Sequence, residues 1–288
     1  MQPPAADPHQ QVIDYFHRWE SRWSYALLLH GTRHFGYYPA GGGHVPVRAA
    51  LALMEDRLGR ALDLPAGARV LDAGCGEGHV AMRLATDFGF RVDGIDLLAR
   101  DVRLATATAG RRLLQDRVRF QVMDYADLHF PAGRFDGAYT MESLVHAPEV
   151  PPVLAEFRRV LRPGGRLALF EYSTVPREQL TARQRELFDT IVTGSGMHSM
   201  PGLVHGRLAE LVRQAGFESV ETEDVTERIL PMLRWLARLL WPPYQLSRLL
   251  GVQRRIVNSL SAVEIQRHPG LWRYNIVTAA KPSAPTAG

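Results

Sequence analysis

Three carboxylates stand where short apolar runs end. Asp72 lies just ahead of the bend in VLDAGCGEGH (70–79), Asp96 closes GID (94–96), and Asp124 follows VRFQVM (118–123). Between Asp72 and the next helical pattern come Gly74, Gly76 and Gly78. Glycines let the backbone turn sharply and approach a ligand, and the helix start beyond them offers unpaired N–H groups. The spacing is GxGxG, not the GxGxxG of dinucleotide sites, and a carboxylate at Asp72 would repel a pyrophosphate on the same loop. The loop suits a ligand with a cationic or amino end and no phosphate. Asp96 is placed to accept from two ribose hydroxyls, and Asp124 to take the amino hydrogens of an adenine. Asp96 and Asp124 alone serve equally well as a helix cap or turn residue, and the glycine loop also reads as a structural turn. Together, on successive strand ends, they point to S-adenosyl-L-methionine, which carries a sulfonium and an ammonium.

A sulfonium methyl is already activated, so transfer needs mainly in-line placement of an acceptor at about 3–3.5 Å, and then removal of a proton. Glu142 and His146 are four apart in MESLVHAP and share a face if that turn is helical. Either is a candidate base, His146 by its near-neutral pKa and Glu142 if burial raises its own. The competing readings are a loop histidine and a salt bridge to one of many arginines. Methylation of an alkene leaves a carbocation, which aromatic faces stabilise. Tyr15, Trp23, Phe35, Tyr37, Tyr38 and Tyr139 are candidates, although most also read as core. Tyr37, in a glycine-flanked loop, is the one that packing explains least. His198 and His205, with Met197 and Met200 in GSGMHSMPGLVH, read as a flexible loop with two solvated histidines. No HxH or HExxH spacing occurs, so no metal site is expected.

These residues require a scaffold that brings strand ends together. Apolar runs at 69–73, 91–95, 118–122, 135–140 and 166–172 alternate with helical patterns at about 79–88, 98–115 and 149–161. That alternation predicts right-handed βαβ units and a parallel sheet. Further helices are expected at 9–30, 46–62 and 203–215, and late strands at 217–225 and 271–281. The division expected is an N-terminal cap segment (1–62), a main domain (63–281) with a helical insert at about 227–270, and a flexible tail (282–288), with residues 1–8 loose as well. In the insert, apolar residues at 229, 230, 233, 236, 237 and 240 share one helical face, Arg234 and Arg238 lie on another, and Pro242 and Pro243 should break the helix. It reads as a packed helix, a lid over a greasy substrate, a membrane-surface helix or a dimer face.

Composition narrows the class. The 288 residues, 46% hydrophobic and 22% charged, describe a globular chain, and the single cysteine, Cys75, excludes an internal disulfide framework. The net charge of +4 is spread out and Lys281 is the only lysine, so no compact basic patch suggests nucleic acid. Neither a secretory signal nor a spanning segment is legible, and a cytoplasmic location is expected.

The set VLDAGCGEG, GID, MDYAD, FDGAYTMESLVHAP and LRPGG resembles class I S-adenosylmethionine-dependent methyltransferases, in that order and spacing, over about 65–225. HFGYYP (34–39) and YTMESLVHAP (139–148) resemble the sterol and tocopherol C-methyltransferase group. The resemblance implies an α/β, Rossmann-like sheet of seven mostly parallel strands with helices on both faces and the last strand antiparallel, together with the N-terminal helical cap and helical insert. It implies that Asp72, Gly74, Gly76 and Gly78 hold the methionine end, Asp96 the ribose, and Asp124, Tyr125 and Ala126 the adenine, with Leu97 and Met141 as further cofactor contacts. It makes Glu142 the better candidate base, and the family uses a tyrosine near the methyl donor in the segment that holds Tyr37. The reading favoured is C-methylation of a small apolar, isoprenoid- or lipid-like metabolite. The alternatives are O- or N-methylation of a polyketide, phenol or amine, and a non-catalytic or pericyclase-like protein that retains the cofactor fold.

Overall fold

The computed structural model describes residues 7–19, 27–41, 45–252, 256–268 and 270–283. Its frame is a seven-stranded sheet of order β3-β2-β1-β4-β5-β7-β6. The strands are β1 (Arg69–Ala73), β2 (Arg91–Asp96), β3 (Val118–Val122), β4 (Phe135–Met141), β5 (Leu161–Thr174), β6 (Glu218–Asp224) and β7 (Trp272–Ala280). Strands β1 to β5 pair in parallel, and β7 is antiparallel to both β5 and β6. Burial explains the order. Strand β4 runs through the centre with Phe135, Ala138, Tyr139 and Thr140 fully buried, whereas β6 (ESVETED) is exposed along most of its length. Its acids suit an edge, where charge discourages pairing with a second sheet.

The first half of the sheet is the expected βα alternation, with α2 (Val47–Leu62), α3 (His79–Asp87), α4 (Ala99–Arg111) and α5 (Val150–Val160) covering the strands, and α1 (Pro8–His17) ahead of them. One core packs α2 and α3 against one face of the sheet; a second packs α5 and α7 (Arg207–Gln214) against the other. After β1 the chain steps outward to β2 and β3, then returns to the far side of β1 as β4. That reversal opens a crevice at the carboxyl ends of β1 and β4, the place where open α/β sheets bind ligands.

The remaining helices build a roof. They are α6 (Ala182–Ser195), α8 (Thr226–Leu249) and α9 (Val257–Ile265). Here the sequence expectations need correction. The helix expected at 9–30 ends at His17, because Arg18 is extended (ψ 141°); Trp23 and Tyr25 lie outside the described residues, as do 1–6 and 284–288 of the two ends expected to be loose. Pro242 and Pro243 do not end α8, which runs on to Leu249. Proline costs the helix two N–H donors, but Tyr244 and Ser247 beyond them are buried, and Tyr244 donates from its hydroxyl to Glu264 of α9 at 2.6 Å. No helix had been assigned to the α6 segment, and the stretch after it is no solvated loop. His205 Nδ1 meets Ser173 Oγ at 2.8 Å, His198 Nε2 meets the Pro8 carbonyl at 3.1 Å, and Met200 is buried. Among the described residues no helix is long and apolar enough to cross a membrane.

Candidate active site

The crevice opens into a cavity of about 330 Å³. Its floor is the strand ends. Asp72 is 3% exposed, and burial pushes its carboxyl up to about 7, the Tyr139 hydroxyl opposing this and the Asp96 charge adding to it. Its Oδ2 is buried with no hydrogen-bond partner of good geometry, in a residue that lines the cavity. The bend after it carries Gly74, Gly76 and Gly78 at φ 90°, 52° and 76°. The reasons for the three glycines differ. A Cβ on Gly74 would lie 2.4 Å from that of Ser143, and one on Gly78 would lie 2.5 Å from the Phe120 ring, so neighbouring side chains fill both spaces. At Gly76 the nearest atom is Arg33 Nη1 at 3.6 Å, and only the left-handed φ demands glycine there.

Asp96 accepts from the Gly76 N–H at 2.8 Å and the Leu98 N–H at 2.9 Å. Its pKa is raised by burial, against those two donors and Arg33. It therefore clamps the bend and caps the next turn at once; each carboxylate oxygen keeps a second lone pair for a ligand hydroxyl. Above the bend, Arg33 pairs with the fully buried Asp101 at 2.6 Å and lies 4.7 Å over the Phe16 ring. A buried anion below and a guanidinium above match the ammonium and carboxylate of an amino-acid end. The donor set, the orphaned Asp72 oxygen and the glycine bend thus fit S-adenosylmethionine. Asp72, Gly76 and Arg33 would hold its amino-acid end, and Asp96 and Leu97 its ribose.

The Glu142 backbone is left-handed (φ 57°) at the end of β4. Its carboxylate accepts from the Phe35 N–H at 2.7 Å and from the Tyr172 hydroxyl. Burial raises its pKa, and Tyr172, His34 and the Phe35 N–H act against that rise. Glu142 thus ties the N-terminal segment to the sheet. His34, in that segment, faces the Phe35 carbonyl with Nδ1 (3.0 Å) and Glu55 with Nε2 (3.2 Å). Two acceptors favour the doubly protonated ring; burial opposes the charge most, but Glu55, the Phe35 carbonyl and the Glu142 charge together outweigh it and the His34 pKa is raised.

His146 lies in a short 3₁₀ turn (Leu144–His146). Its Nδ1 is 3.0 Å from the Gly196 carbonyl, which can only accept, so Nδ1 carries the proton and Nε2 the lone pair. Burial pushes its pKa down to about 4; the ring is neutral between Tyr15 and Phe16, 6.2 and 5.2 Å away. The turn is fixed from behind by Glu171, which accepts from the Ser143 and Leu144 N–H groups at 3.1 and 2.8 Å and is pushed up to about 8 by burial.

Of the residues singled out in the sequence, Asp72, Gly74, Gly76, Asp96, Leu97, Tyr125, Met141, Glu142 and His146 line this one cavity. Gly78, Asp124, Ala126 and Tyr37 do not. Asp124 accepts from the Ala126 N–H at 2.8 Å with one oxygen and faces His9 of α1 at 3.3 Å with the other. Tyr37 packs in the core with the Arg57 guanidinium over its ring at 5.7 Å. Sequence reading missed Arg33, His34, Tyr172 and Glu171. Two left a trace: Glu171, as a lone acid in the apolar strand RLALFEY, where a charge needs partners, and His34, which opens the motif HFGYYP. Above the floor the walls are apolar: Leu187, Phe188 and Ile191 of α6, Leu233 and Leu236 of α8, and Ala262 of α9. No group of three or more potential metal ligands occurs among the described residues.

Sheet order, crevice and glycine bend define a Rossmann-like α/β enzyme that binds an adenosyl cofactor. The methyltransferase domain family matches residues 70–165. The S-adenosyl-L-methionine-dependent Diels-Alderase iccD of Talaromyces variabilis is 38% identical over 94% of this chain and 94% of its own length. The 27-O-demethylrifamycin SV methyltransferase of Amycolatopsis mediterranei is 31% identical over 86% and 89%. Among solved structures the [4+2]-cyclase SpnF superposes with a TM-score of 0.76 at 27% identity, covering 98% of this chain and 99% of SpnF. Sterol 24-C-methyltransferases are relatives too, over a shorter part of the chain. The chain belongs to the class I S-adenosylmethionine-dependent methyltransferase family.

Proposed function

We propose that this chain holds an apolar, polyunsaturated natural product in its cavity beside bound S-adenosylmethionine and promotes a [4+2] ring closure. The observation that carries this reading is the state of the two candidate bases. Glu142 ties Phe35 of the N-terminal segment to Tyr172 of β5, so work as a base would loosen that tie. His146, with a pKa near 4, holds a proton weakly. A cycloaddition needs neither. Two carbon–carbon bonds form, three π bonds become one, and no proton, electron or leaving group moves. What it needs is a folded substrate with diene and alkene in contact, which walls from α6, α8 and α9 supply by shape. When bound, the cofactor supplies a fixed cation that draws electron density from a nearby carbonyl. The full-length similarity to a Diels-Alderase, cap and roof included, supports the same reading.

One observation favours a second reading, O-methylation. The fixed tautomer of His146 leaves a lone pair on Nε2 in the cavity wall, available to an acceptor hydroxyl. C-methylation of an isoprenoid has less support, since Glu142 would first have to give up the N-terminal segment.

The test is a mass-spectrometric screen of polyene and polyketide extracts with methyl-labelled S-adenosylmethionine. Ring closure gives a product of unchanged mass with the cofactor intact. A product carrying the labelled methyl, with matching demethylated cofactor, overturns the proposal in favour of transfer.

A further inference from the structure

Helix α8 is apolar on two sides. Leu233, Leu236 and Leu240 face the cavity. On the outside, Trp235, Leu239, Leu246 and Leu249 are 36%, 47%, 59% and 85% exposed, at i, i+4, i+11 and i+14, with exposed Pro242 at i+7. They form one stripe along the helix. Arg234 and Arg238 are exposed along one edge of it and Arg248 is exposed farther round the helix, and none of the three has an ion pair among the described residues. Between Glu227 and Glu264 the sequence holds six arginines and no acid.

We propose that this outer face docks on an anionic lipid surface. Tryptophan, leucine and arginine on one exposed helical face match the boundary between headgroups and acyl chains. The unpaired arginines and the absence of acids set the sign of the partner's charge. A second copy of the chain fits less well, because its identical stripe, in a segment with no acid between Glu227 and Glu264, offers the arginines no opposite charge. Helix α8 is also too polar to span, so the contact lies flat on the surface. The inner face of the same helix lines the cavity, so a docked chain would hold the cavity wall close to the surface where greasy molecules dissolve. This inference is independent of which reaction the cavity runs.

Co-sedimentation of the full chain with vesicles tests it, using equal parts phosphatidylcholine and phosphatidylglycerol against phosphatidylcholine alone. Binding is expected only to the anionic vesicles and is expected to weaken as salt rises. Arg234→Gln with Arg238→Gln should weaken it roughly twentyfold or more, at about fivefold for each arginine near the surface. Trp235→Gln with Leu239→Gln should weaken it further at matched melting temperature. Quenching of the wild-type tryptophans by brominated lipid in the anionic vesicles gives the same answer without any variant. Equal binding to both vesicles, none to either, or an oligomer that Trp235→Gln with Leu239→Gln dissociates in light scattering would overturn the proposal, the last by giving the face to a second copy.

Discussion

A left-handed backbone at a glutamate is costly, and proteins keep such residues where the surroundings over-determine them. At Glu142 two donors from distant parts of the chain do so. If its task is to fasten the N-terminal segment, Glu142→Gln should keep most activity, since an amide oxygen still accepts from the Phe35 N–H. Glu142→Ala should cost about 2–4 kcal/mol in urea unfolding, because it leaves two buried donors unpaired. A general base would fail in both variants. Asp72 lends itself to a titration. Its folded pKa is raised from 3.8 to about 7, so the stability it contributes is complete below 3.8 and is lost as pH rises through about 7. Without cofactor, the melting temperature should therefore fall across that interval, and Asp72→Asn should remove this share of the fall. S-adenosylmethionine, whose ammonium favours the carboxylate, should restore stability on the alkaline side in calorimetry, and its affinity should drop roughly tenfold or more in Asp72→Asn.

At the level of elements, the strands and the helical insert that supplies α8 and α9 were legible, and helix α6 of the roof was not. Parallel strands buried on both faces read as short apolar runs, which is why β1, β2, β4 and the heart of β5 fell close to their expected positions. The glycine bend and its acids were legible for a related reason: local geometry fixes their residue types. Helix α6 left a weaker pattern because it is half-exposed, one side on the cavity and the other in solvent. A start signal was there, in Thr181 and Gln184, whose side chains each accept from the other's backbone N–H. Thr181→Ala is expected to destabilise the protein by about 1 kcal/mol, lowering its melting temperature by a few degrees. Contacts such as His34 with Glu55, or Asp124 with His9, join residues that no periodicity connects, and only tertiary packing reveals them.

For the molecule as a whole, the cofactor crevice is bounded by the sheet ends and by an N-terminal segment that is bonded both to them and to α8. The Phe35 N–H donates to Glu142, the Gly36 N–H to Met232 Sδ at 3.0 Å, and the Tyr38 N–H to the Arg228 carbonyl at 2.9 Å. Closing the crevice on a ligand should slow amide exchange in residues 31–38 and in α1 and leave the edge strand β6 unchanged; exchange read by mass spectrometry with and without S-adenosylmethionine checks this. Uniform slowing throughout would mean that the ligand stabilises the fold globally and does not act through this segment. The residues placed to hold the donor come largely from the strand tips, whereas those that would shape its partner molecule come mainly from helices beyond residue 180. Mutation can therefore remodel the second set freely while the first stays fixed, so a lineage built on this plan can trade one acceptor for another, or one reaction for another, without relearning how to bind its coenzyme.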